Sequence, residues 1–175
     1  MPGPLVLRPG DMSHTLESIR GQLAGLLPRL RRFARTLTRN PHDADDLVQL
    51  ALERALTRLK QWRPDTKLES WMFGIIKNAW IDELRARGRR AKVFAPEEAA
   101  EHVGDASSEA QMELLSMQSA MERLPDEQRL VVALVLVEGL SYQEAADVLE
   151  VPIGTVTSRL ARGRATLESI LSEHA

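Results

Sequence analysis

Near the C-terminus Thr155, Ser158, Arg159 and Arg162 follow one another at spacings of three, one and three residues. On a helix that spacing puts two hydroxyls and two guanidinium groups on one side. Guanidinium forks suit the edge of guanine, and hydroxyls suit phosphates or base edges, so the chemistry on offer is reading DNA in a major groove. The alternative is an amphipathic hairpin with solvated arginines, and these four residues leave both readings open. A second polar stripe runs through Asn78, Asp82, Arg85 and Arg89, spaced by four, three and four. It ends in Arg85, Arg87, Arg89, Arg90 and Lys92, which suit a nucleic-acid track and equally suit the negative end of a helix dipole.

Catalytic constellations are missing. The chain shows no paired nucleophile and base, no glycine-rich phosphate loop and no metal-ligand spacing, so it reads as a non-enzyme that needs no cofactor. His42, Asp43, Asp45 and Asp46 are the nearest approach to a metal cluster. A helix start explains them without a metal, because carboxylates favour the positive end of the dipole.

The elements that position these groups are legible as helices. Ser141 suits an N-cap whose third residue, Glu144, reaches back to the cap N–H, and Ala145, Val148 and Leu149 then share an apolar face. Pro152 suits the first turn of the next helix, on which Val156, Leu160, Gly163 and Leu167 recur at helical spacing opposite the polar set. This is a helix-turn-helix. Upstream, Leu114, Met117, Met121 and Leu124 form a stripe that stops before Pro125, and a further helix carries Leu130 to Val137 up to Gly139. The β-branched run there reads as helix, since nothing nearby could pair with it as a strand.

In the first half, Leu16 to Leu37 holds a helical period interrupted at Pro28, where a break or kink is expected. Its arginines, Arg29, Arg31, Arg32, Arg35 and Arg39, read as a solvated face. Asn40-Pro41 opens a helix running through Leu47, Val48, Ala51, Leu52, Ala55, Leu56 and Leu59. A polar turn at residues 62–69 precedes a third helix from Ser70, on which Leu68, Met72, Ile75, Ile76 and Ala79 face a core. Trp62, Trp71, Phe73 and Trp80 read as core packing, although aromatics also stack on unpaired bases. Residues 95–115 turn acidic and small and read as a linker passing into a helix near Glu109.

Charge divides along the same line. Residues 1–94 hold 18 Lys+Arg against 10 Asp+Glu, and residues 95–175 hold 5 against 15. The basic half suits a polyanion; the acidic half carries the helix-turn-helix, so its solo affinity for DNA should be weak. The absence of cysteine agrees with a reducing cytoplasm, and no apolar run is long enough to span a bilayer. The first 13 residues read as a disordered lead-in, with Met12 an alternative start. The expected architecture is all-α: two small helical domains, 14–94 and 116–175, joined by a flexible acidic linker, the second domain containing the helix-turn-helix, in a monomer.

With both halves in view, the chain resembles the extracytoplasmic-function group of bacterial RNA polymerase sigma factors over about residues 20–170. Arg39 to Gln49 resembles the family's polymerase-binding helix start, and Trp62 to Arg90 its promoter-melting and −10-reading segment. Leu124 to Arg129, with Gly139 to Arg164, resembles its −35-reading domain. The resemblance implies that Asp45, Asp46, Leu47, Val48, Gln49 and Glu53 dock on the polymerase clamp helices. It implies that Asp65, Thr66, Lys67 and Leu68 hold a flipped −10 base with help from Asn78, and that Arg85 and Arg89 track phosphates, with Asp82 on the same stripe. Thr155, Thr157, Ser158, Arg159 and Arg162 would face the −35 element. Thr157 and Ala161 depart from residues common in the family, which leaves the upstream sequence preference open. The implied partners are core RNA polymerase, promoter DNA and an anti-sigma factor. A free-standing helix-turn-helix regulator, or a sigma mimic that sequesters an anti-sigma factor, are the competing readings.

Overall fold

In the computed structural model the described residues are 9–93 and 109–173, with the side chains of 9–15 and 93 left aside. All of their regular structure is helical: α1 Pro9–Leu37, α2 Pro41–Thr57, a 3₁₀ turn Leu59–Gln61, α3 Leu68–Val93, α4 Glu109–Glu122, α5 Asp126–Val132, α6 Tyr142–Leu149 and α7 Ile153–Ser172.

Of the break or kink expected at Pro28, the break is not made: α1 runs on through it. Pro28 lies on the solvent side, where the carbonyl it frees can be hydrated, while Leu23 and Leu30 on either side are buried at 4% and 0% exposure. Each buried leucine contributes about 1.5–3 kcal/mol, enough together to offset the roughly 3 kcal/mol cost of an interior proline. The helix also begins at Pro9, inside the stretch read as a lead-in, whereas α4 begins at Glu109, where the linker was expected to pass into a helix. The remainder of both stretches, residues 1–8 and 94–108, lies outside the described residues.

The helix starts follow their caps. The Asn40 side chain accepts from the Asp43 N–H at 2.8 Å, with Pro41 at the first helical position. Ser141 and Glu144 form a complete capping box: Ser141 Oγ accepts from the Glu144 N–H at 3.1 Å, and the Glu144 carboxylate accepts from the Ser141 N–H at 2.8 Å. The apolar run after α5 is helical, as expected, but it widens into a π-helical turn over Ala133–Val137, in which the Glu138 N–H donates to the Ala133 carbonyl.

α1, α2 and α3 pack around Leu30, Phe33, Leu47, Val48, Met72 and Ile76. α5, α6 and α7 pack around Val131, Leu134, Ala145, Val156 and Leu160. The two groups of helices are joined in one continuous buried cluster. Arg129 of α5 is central to the junction: its guanidinium donates to the carbonyls of Met121, Glu122 and Leu124 and, at 3.1 Å, to that of Leu37 at the end of α1. It also lies 5.9 Å from the centre of the Trp80 ring. Burial lowers its pKa, but a guanidinium so bonded stays charged at any physiological pH.

Candidate nucleic-acid interface

The polar turn before α3 and the first three turns of α3 form one wall of a cavity of about 550 Å³. Thr66, Lys67, Trp71 and Asn78 line it, together with Arg58 and Gln61 from the end of α2 and the 3₁₀ turn. Thr66 fixes the turn by donating from its hydroxyl and its N–H to the Arg63 carbonyl. The space is of the size that holds a nucleobase-sized ligand. Leu68, placed by sequence among the base-holding residues, is instead 6% exposed and anchors the start of α3 in the core. Asp65 faces solvent and pairs with Arg63 at 3.4 Å.

Asn78, Asp82, Arg85 and Arg89 all emerge on the exposed face of α3, as their spacing requires. Arg85 and Arg89 bond to nothing among the described residues. Asp82 accepts from Arg54 of α2 at 2.9 Å, so its work is to tie α2 to α3, and its charge opposes a phosphate. Further along, Arg87 links Glu83 and Asp43, and both carboxylates raise its pKa.

On α2, Asp45, Asp46, Gln49 and Glu53 form an exposed acidic face. Leu47 and Val48 do not join it; they are 6% and 3% exposed, because the face opposite the carboxylates must close on α1 and α3. Leu50, 37% exposed beside Gln49, takes the apolar place on that surface and was not singled out in the sequence.

On α7, Val156, Leu160 and Gly163 are buried against α5, which leaves Thr157, Ser158 and Arg162 exposed. The close fit centres on Gly163: a Cβ there would lie 2.8 Å from Val132 Cγ2. Thr157 and Ser158 donate their hydroxyls to the Ile153 and Thr155 carbonyls within the helix, and Arg162 donates to the Ser158 carbonyl at 3.3 Å. Arg159 is held by Glu127 of α5 at 3.0 Å, and Thr155 is half-buried. The exposed side of α7 therefore has at its centre Arg162, a cation bonded only within its own helix, with hydroxyls around it.

These two surfaces sit on chain segments with known counterparts. Residues 24–90 match the model of Sigma-70 region 2, and residues 114–167 match that of Sigma-70, region 4. The ECF RNA polymerase sigma factor EcfG of Rhodopseudomonas palustris is 33% identical over 155 residues, covering 89% of this chain and 86% of that protein. The chain belongs to the ECF RNA polymerase sigma factors. SigM of Mycobacterium tuberculosis is 38% identical over 143 residues, covering 82% of this sigma factor and 71% of SigM. Among solved structures, the sigma factor RpoE of Bartonella quintana, crystallised with the anti-sigma factor NepR, superposes with a TM-score of 0.76 at 30% identity, over 89% of this chain and 98% of that one.

Three features of the sigma factor were not found from its sequence. Lys77, between the core and the polar stripe, is only 4% exposed and donates to the Val148 carbonyl of α6 at 3.0 Å. Glu138, with a fully buried carboxylate, accepts from Arg29 and Arg32 of α1, which corrects the reading of those arginines as a solvated face. Arg29 also contacts Glu69 of α3. No local pattern announces these pairs, because the partners lie 40 to 109 residues apart.

Proposed function

We propose that this sigma factor binds core RNA polymerase through the exposed acidic face of α2 and directs promoter recognition and opening, performing no chemistry of its own. Asp45, Asp46, Gln49 and Glu53 contact the polymerase, and Leu47 and Val48 act from beneath by setting that face. Residues 14–94 serve as the region 2 module and residues 116–175 as the region 4 module. The observation that carries the reading is the cavity beside Thr66, Lys67 and Asn78 on a basic domain. Unstacking a base costs a few kcal/mol, and a cavity with an amide, a hydroxyl and an ammonium returns part of it once the base is flipped in.

Arg85 and Arg89 then follow the phosphates downstream of that cavity. Arg162, with Thr157 and Ser158, reads the −35 element, and Arg159 joins when its bond to Glu127 is exchanged. The acidic support helix makes solo binding weak, and polymerase supplies the remaining contact. Relatives of this fold have been solved in complexes: the sigma factor RpoE with the anti-sigma factor NepR, and CnrH with the cytosolic domain of CnrY. We extend the same control to this chain, acting in the cytoplasm; no helix of the described residues is long and apolar enough to cross a membrane.

Run-off transcription with purified core polymerase on a library of promoter fragments tests the reading. Initiation that depends on the added protein is the expected result, and the selected fragments report the −10 and −35 sequences. Tight binding to duplex DNA without polymerase, and no initiation, would establish a free-standing regulator instead.

A further inference from the structure

Lys67 stands between two cavities. On one side is the space it shares with Thr66 and Asn78. On the other, a second and more open cavity of about 420 Å³ is lined by Gln22, Gly25 and Leu26 of α1 and by Lys67, Leu68 and Glu69 where α3 begins. Its chemistry suits a nucleobase. Leu26 is a half-buried apolar side chain on which a ring can rest. The Gln22 amide donates to Ser18 Oγ at 3.3 Å, which leaves its oxygen and its second N–H for a ligand. The Glu69 carboxylate is met by Arg29, so its charge is offset while lone pairs stay open to an amino group. Lys67, which bonds Glu144 here, is 65% exposed, and such an ammonium exchanges a partner for a phosphate at little cost. Gly25 keeps the space clear, since a Cβ there would meet nothing within 4 Å.

We propose that this cavity is a second base site, holding another unstacked nucleotide of the −10 strand beside the one taken by the first cavity. The inference rests on the reading of Lys67 and Asn78 as −10 contacts. Thr66 borders the first cavity and Glu69 the second, and three residues span at most about 11 Å, a distance that a single strand covers in a few nucleotides. A phosphate on Lys67 then has a base on either side of the turn.

Opening gives such a site its use. Each further base pair that opens loses stacking that one held base does not return, and a second held base returns its own share. Glu69 and the Gln22 oxygen are acceptors. The base held between them is therefore one with an exocyclic amino group, adenine, cytosine or guanine, rather than thymine.

The test fills the cavity without disturbing the fold. Gly25→Leu puts a side chain into it from an exposed helical position, where leucine favours the helix more than glycine does. Gly21→Leu, about one turn earlier, is equally exposed and unobstructed but lies outside the cavity, and serves as the control. Gln22→Ala removes the amide from an exposed surface instead of filling the space. Each full-length variant, bound to core polymerase, is titrated with a promoter fragment pre-opened over the −10 region, in which an abasic nucleotide replaces each non-template position in turn. Two positions should each weaken binding about tenfold when their base is removed. Asn78→Ala should abolish the sensitivity of one, Gly25→Leu should abolish and Gln22→Ala reduce that of the other, and Gly21→Leu should change neither. In run-off transcription thymine should be the weakest base at the position that responds to Gly25→Leu. If Gly25→Leu and Gln22→Ala behave like Gly21→Leu at every position, or if thymine is preferred at the responding one, the proposal is overturned. Asn78→Ala separates the two readings. If it too leaves every position unchanged, the −10 assignment falls as well; if it silences one position while Gly25→Leu silences none, this inference alone falls.

Discussion

Arg32 of α1 meets Glu138 with two parallel hydrogen bonds, of 2.9 and 2.8 Å, although the residues are 106 apart in sequence. The carboxylate is fully buried, whereas the guanidinium is half exposed, and the pair raises the pKa of Arg32. Removing the arginine strands a buried charge with only Arg29 to meet it; removing the glutamate frees both arginines toward water.

Arg32→Ala should therefore destabilise the fold by about 1–3 kcal/mol, and by more than Glu138→Ala once the shared packing loss is allowed for. A double-mutant cycle in urea should give a coupling of about 1–2 kcal/mol. Additivity within about 0.5 kcal/mol would mean that the pair does not hold α1 to the second group of helices.

Gly163→Ala should cost about 1–3 kcal/mol, because the new methyl meets Val132 Cγ2 at 2.8 Å and a β-branched neighbour has little room to turn. Val132→Ala in the same chain should recover part of the loss. Thermal melts of the single and double variants check this, and a double variant no better than the single one would place the strain elsewhere.

Glu144 should titrate far below its exposed neighbours. Its hydrogen bond from Lys67, then those from Ser141, hold its pKa down to about 2. A depressed carboxylate contributes stability that is present above its unfolded pKa and lost as pH falls through the folded one. The Lys67 contact and the α6 cap should then persist through pH 4 and disappear toward pH 2, as carboxyl carbon NMR of Glu144 would show. Titration in the ordinary carboxylate range would mean that the contact is not made in solution.

Arg162→Ala should weaken −35-dependent initiation by about 1–3 kcal/mol, while Asp46→Ala should reduce polymerase binding and leave DNA recognition intact. Pull-down with core polymerase and run-off transcription separate the two effects. Equal loss of both activities in both variants would argue against this division of roles.

Helix starts and faces were written locally: Asn40-Pro41, the Ser141–Glu144 box, and the apolar periods of α3 and α7 each depend on neighbours three or four residues away. The exposed polar stripes were legible for the same reason, since Asn78, Arg85, Arg89 and Arg162 emerge where helical geometry sends them. What sequence left open was which surfaces meet. Leu47, Val48 and Leu68 went to the core because a motif marks a segment without saying which of its faces packs. Glu138 depends on the π-helical turn at Ala133–Val137, which adds a residue to the turn and changes where the next side chain points. Lys77 and Arg129 look like ordinary helix-surface charges until a second group of helices removes their water and supplies carbonyls in exchange. Local hydrogen-bond chemistry made the elements and their faces; long-range desolvation decided which charges became the joint between them.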